Sequence, residues 1–99
     1  MYYVMYCVDT PDSWERRRSV RTAHVQRLKA LHDDKRLLVA GPLMGGDSDD
    51  ALEVGVKGSL IVAEFVDIEA AKAWAAADPY VTANVYERIT VEPFKKVLP

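Results

Sequence analysis

Two ionisable residues have the spacing of a catalytic pair. His24 lies in a stretch from Ser13 to about Asp33 whose pattern is helical. With His24 at zero on a wheel of about 100° per residue, Leu31 falls near −20°, Leu28 near 40°, Val20 near −40°, Arg17 near 20° and Arg21 near 60°. His24 thus shares a stripe that is apolar toward the C-terminus and basic toward the N-terminus. The apolar half packs, and the polar half is placed to line a pocket. Asp78 follows a second helical stretch that opens at Asp67. The apolar stripe of that stretch, Ala71, Trp74 and Ala75, continues onto Asp78. Pro79 pushes Asp78 out of the helical region, and a carboxylate at a helix C-terminus meets the wrong end of the dipole. Ser13 to His24 and Asp67 to Asp78 each span 11 residues. Both side chains then lie roughly 16 Å along their helices. A carboxylate fixes an imidazole tautomer and raises its basicity, which makes a general base. A plainer account stays open: a histidine satisfied within a core, and an Asp-Pro that only opens a turn.

Other chemical candidates are weaker. Arg16, Arg17, Arg18, Arg21 and Arg27 gather positive charge near a helix start, where the dipole is also positive and a bound anion would compensate. Most of them read as a solvated face with stems that carry the charge outward. Arg17 and Arg21 are set apart by their wheel position. Asp47, Asp49 and Asp50 suggest calcium, but an EF-hand loop counted from Asp47 needs Gly and Glu where Leu52 and Gly58 stand. His24, His32 and Cys7 lack metal-ligand spacing, so no metal site is expected. Cys7 reads as inert core. No dinucleotide fingerprint, P-loop or RNA-stacking motif is present, so no cofactor is expected.

The elements that must position the pair follow from period and punctuation. Residues 2–8 alternate as a strand, with Tyr2, Val4, Tyr6 and Val8 on one side and Tyr3, Met5 and Cys7 on the other. Ser13 is placed to cap the first helix. Residues 36–44 form a second strand that Gly41-Pro42 bends or ends. Residues 45–57 form a polar loop, 58–66 a third strand, and Asp67 caps a helix to about Ala77. A turn through Asn84 leads to a last strand, 85–92. The order β-α-β-β-α-β is that of a ferredoxin-like α+β fold, a four-stranded antiparallel sheet with two helices on one face. Its first and third strands are expected to be parallel neighbours, so that both helices leave the same edge.

Composition bounds the function. The chain has 99 residues, which suits one domain over 1–99. Thirteen basic and fifteen acidic residues give a net charge of −2, which disfavours a nucleic-acid partner. No apolar run approaches the ~20 residues of a membrane span. With one cysteine and no leader-like N-terminus, the expected place is the cytoplasm. The strands are apolar on both sides, yet two helices cover only one face. A second copy is the expected cover, giving a homodimer through the free sheet face.

Five short motifs in order resemble the YciI-like family of small bacterial proteins across nearly the whole chain. They are R-x-x-H-V-x-x-L (Arg21, His24, Val25, Leu28), AGP (Ala40 to Pro42), GS (Gly58, Ser59), ADPY (Ala77 to Tyr80) and the closing VEPFKKV. Val25 stands where the family more often has Leu. The resemblance implies a ferredoxin-like fold, a dimeric α+β barrel and an active site centred on His24 and Asp78. Related barrels remove hydrogen chloride from a chlorinated aromatic, isomerise lactones or oxidise small aromatics. The expected function is therefore a small acid–base enzyme, lyase- or isomerase-like, acting on a small anionic or aromatic molecule. Arg21 would hold an anionic group, and Ser59 and Tyr80 would supply hydrogen bonds. The alternative is a non-catalytic ligand-binding or sensing module on the same dimer.

Overall fold

A computed structural model describes all residues, 1–99. Strand β1 (Tyr2–Asp9) is followed by helix α1 (Trp14–Asp33) and strand β2 (Leu37–Met44). A short helix α2 (Ala51–Val54) precedes strand β3 (Val56–Glu64). Helix α3 (Ile68–Ala76), short helix α4 (Pro79–Thr82) and strand β4 (Tyr86–Phe94) complete the order. The sheet order is β2-β3-β1-β4, and every neighbouring pair is antiparallel. That is the ferredoxin-like arrangement.

One expectation is corrected. β1 and β3 are neighbours, but antiparallel, with Tyr3 opposite Ala63 and Cys7 opposite Ser59. β2 and β3 are consecutive and pair antiparallel, and β3 then lies between β2 and β1, reversed relative to both. Helices α1 and α3 therefore leave from opposite edges of the sheet. A second correction concerns the start of α1. Ser13 has helical angles and makes no side-chain cap; its hydroxyl donates to Asp9 Oδ2 at 2.6 Å. Asp67 does cap α3, accepting from the Ala70 N–H at 2.8 Å. Gly41-Pro42 does not end β2, which runs on to Met44. β2 is an edge strand, where proline costs no ladder bond on the open side.

The alternation of β1 sends Tyr3, Met5 and Cys7 inward, where they join Ile61 and Ala63 of β3. Leu31 of α1, Ala71 and Ala75 of α3, Phe65, Tyr80, Val85 and Tyr86 close over them. The other face of the sheet carries Val4, Tyr6, Val8, Leu60 and Val39 by register, and no helix covers it. Tyr6 and Val39 are about half exposed there (46% and 50%). No helix is long and apolar enough to cross a membrane.

Helix α1 buries only Arg17, His24 and Leu31. These stand seven residues apart, two turns each, so they form one narrow seam. Two of the three are polar. The seam brings chemistry, and not only apolar surface, against the sheet.

Candidate active site

His24 sits mid-way along α1, and Asp78 sits in the junction between α3 and α4. Asp78 has extended angles and caps α4: its Oδ1 accepts the Tyr80 N–H at 2.9 Å, with Pro79 at the first helical position. The carboxylate therefore sits at the N-terminal end of α4. His24 Nδ1 lies 2.9 Å from Asp78 Oδ1 and 3.0 Å from Oδ2. Arg27 Nη1 donates to Oδ2 at 2.9 Å. The Arg27 guanidinium also donates to the Trp74 carbonyl and lies 4.2 Å over the Trp74 ring. Asp78 is fully buried (1% exposed) among these donors.

Burial pushes the Asp78 carboxyl up, but the His24 hydrogen bond, the Tyr80 N–H and the charges of His24 and Arg27 outweigh it. The net effect holds Asp78 below the ordinary carboxylate value. An ionised Asp78 accepts only, so Nδ1 carries a hydrogen and the neutral ring keeps its lone pair on Nε2. Nε2 has no protein partner, and it is not sealed from solvent. The imidazole stacks on the Tyr80 ring at 3.9 Å, within 9° of parallel. It borders a cavity of about 250 Å³ walled by Val25, Leu28, Ile61 and the Ala40-Gly41-Pro42 segment.

The residues singled out from sequence are brought together. His24, Arg21, Ser59 and Tyr80 line the cavity, and Asp78 stands behind His24 without reaching it. Arg21 is exposed and engaged in no hydrogen bond or ion pair, at the rim. Ser59 is buried and accepts from Arg17 at 2.8 Å. Burial pushes the Tyr80 phenol up against the opposing charges of Arg17 and Arg21. Its hydroxyl is therefore a neutral donor.

Two residues behave otherwise than the charge pattern suggests. Arg17 does not carry its charge outward. It is buried (7% exposed), with Nε 2.6 Å from Asp9 Oδ2 and Nη2 3.0 Å from Asp9 Oδ1. Nη2 also donates to the Gly58 carbonyl at 2.8 Å. Arg27, read as solvated surface, completes the Asp78 site. Two signals point to these roles. Asp9 shares the parity of Tyr3, Met5 and Cys7, which places a carboxylate at the end of an inward row. Arg27 follows His24 by three residues, the spacing of helix neighbours. No group of three or more His, Cys, Asp or Glu side chains is gathered to hold a metal.

The fold and the pair define a class: a small α+β protein with a carboxylate-oriented histidine facing a cavity sized for a small molecule. The chain belongs to the YCII-related domain family, whose profile matches residues 1–95. It is 57% identical over 97 residues to Protein YciI of Escherichia coli, covering 98% of this chain and 99% of that one. An uncharacterized protein of Haemophilus influenzae is 48% identical over the same length and coverage. Among solved structures, a 5-chloro-2-hydroxyhydroquinone dehydrochlorinase from Burkholderia phenoliruptrix, in complex with 2,5-dihydroxybenzoquinone, superposes with a TM-score of 0.84. It covers 96% of this chain and 94% of its own at 24% identity, a likeness of fold.

Proposed function

We propose that this chain is a small acid–base enzyme, lyase- or isomerase-like, in which His24 Nε2 takes a proton from a small anionic or aromatic substrate. One observation carries the reading: Nδ1 is held by a buried carboxylate while Nε2 is left free toward the cavity. The C–H bond breaks, its proton goes to Nε2, and its electron pair moves into an adjacent carbonyl, making an oxyanion. The pair then returns to expel a leaving group, or the proton is returned at another carbon. Asp78 orients the ring and stabilises the imidazolium. Arg21 at the rim holds an anionic group, and Tyr80 and Ser59 hydrogen-bond the substrate. The dehydrochlorinase with the same fold lends support to ring substrates of this kind. The apolar uncovered sheet face supports a homodimer, closed as an α+β barrel, of single-domain protomers in the cytoplasm.

The test is a panel of hydroxylated and halogenated quinols, hydroxyquinones and small carboxylates, read by thermal shift and then for turnover. Turnover that falls about 10²–10⁴-fold in His24→Gln is the expected result. Stabilisation by a panel member with no turnover would instead make the chain a ligand-binding module.

A further inference from the structure

Arg17 is the one buried cation bordering the cavity, and its guanidinium is only partly engaged. Nε and Nη2 are held by Asp9, the Gly58 carbonyl and Ser59. Nη1 has no partner in the protein, yet it is not sealed off. Arg17 lines the cavity, and Nη1 is the one guanidinium nitrogen that Asp9, Gly58 and Ser59 leave unengaged. Its Cζ lies 4.9 Å from the centre of the Tyr80 ring, the ring that also stacks on His24 at 3.9 Å. The Tyr80 hydroxyl stands against Arg17 and is not sealed off. Two donors, one of them charged and buried, therefore converge on the cavity across one ring from the base.

We propose that Arg17 Nη1 and the Tyr80 hydroxyl form an oxyanion subsite, with Asp9 as the positioning residue that fixes the guanidinium. This deepens the reading of His24 as base. The substrate must then carry a carbonyl oxygen conjugated to the carbon that His24 deprotonates. The proton goes to Nε2, the electron pair goes to that oxygen, and Arg17 and Tyr80 take up the charge. A charged donor in a water-poor site contributes most where charge develops, so it favours the oxyanion over the neutral ground state. The bidentate Asp9 contact stops the guanidinium from swinging out to solvent, and the Ser13 hydroxyl at 2.6 Å holds Asp9 in turn. The substrate class is a small planar hydroxy-enone or the keto tautomer of a phenol. Arg21 at the rim is left for a second anionic group.

The experiment uses 4-nitrophenol as probe, because only its phenolate is yellow. The wild-type protein should bind phenolate in preference to phenol, seen as yellow colour at a pH where free probe is colourless. The double variant Asp9→Asn/Arg17→Gln removes the charge but keeps the shape, and should weaken phenolate binding about tenfold or more. Tyr80→Phe keeps the stacked ring and should weaken it by about threefold to tenfold. It decides the matter if the double variant fails to fold. His24→Gln should still prefer phenolate. The proposal is overturned if wild type shows no preference for phenolate, or if the folded variants bind it as wild type does. Loss of preference in His24→Gln alone would leave the base in place and refute the subsite.

Discussion

Asp78→Asn is the substitution that most directly probes the site. The change keeps volume and replaces one acceptor oxygen by an NH₂ group. That group must face a donor, because His24 Nδ1, Arg27 Nη1 and the Tyr80 N–H all point at the carboxylate. Breaking a buried charge pair from one side costs about 3–5 kcal/mol. Arg27 softens this, since its side chain is 22% exposed and keeps the Trp74 carbonyl. A net loss of about 2–4 kcal/mol at pH 7 follows. For a chain this size that lowers Tm by roughly 10–25 °C. The pH dependence fixes the cause. Asp78 is held below its ordinary value in the fold, so its carboxylate stabilises the fold fully above the unfolded value near ~3.9. That contribution is lost as pH falls through the lower, folded value. Asn does not titrate. In urea melts of both proteins at equal concentration, the stability gap should be full above about pH 5 and close below about pH 4. Nitrogen chemical shifts of the His24 ring should also show a mixture of tautomers in the variant, with any turnover falling accordingly. A gap that is absent at pH 7, or constant down to pH 3, refutes the claim that an ionised Asp78 organises the site.

Arg27→Met should cost about 1–2 kcal/mol in the same melts, through the lost charged hydrogen bond and the contact over Trp74. Its penalty should shrink in the Asp78→Asn background, since the two share a partner. The chain should run at twice 11.1 kDa in light scattering, and Tyr6→Lys on the uncovered sheet face should shift it toward monomer. Burial pushes the Cys7 thiol up to about 12. Native protein should therefore resist iodoacetamide at pH 8 and react only when unfolded in urea.

Much of this was legible because it rests on period. The two-residue alternation of β1 sorted Tyr3, Met5 and Cys7 from Tyr2, Val4, Tyr6 and Val8, and only the first set joins the core. The wheel placed Arg17, His24 and Leu31 on one seam, and these three are what α1 buries. Helices α2 and α4 were not legible, because four residues are too few to set a period. The strand direction was misread, yet the pairing of His24 with Asp78 survives it. Eleven residues are about half of a 20-residue helix some 30 Å long, so equal offsets from opposite ends still meet near the middle. Arg27 was missed because exposure was assigned by charge run. It stands about 60° from His24 on the flank opposite Arg21. One flank turns to Asp78 and the other to the cavity rim.

The way α1 uses its buried seam bears on the proposed site. A buried ion pair is a weak device for stability, since apolar residues of like volume serve as well or better. This helix buries two such groups, and each is backed by a carboxylate from another element: Asp9 behind Arg17, Asp78 behind His24. A strut needs no place on a cavity wall. Here each keeps one nitrogen without a partner, Nη1 on Arg17 and Nε2 on His24, and both residues border the same cavity. The backing fixes the two groups in place, and the free nitrogens are the ones the proposed reading assigns to a ligand. Arg27 is the contrast on the same helix. Its guanidinium is divided between Asp78, the Trp74 carbonyl and the Trp74 ring, and it borders no part of the cavity. One helix thus holds a supporting cation and a presenting one. Which is which is decided by which of them borders the cavity, not by the charge both share.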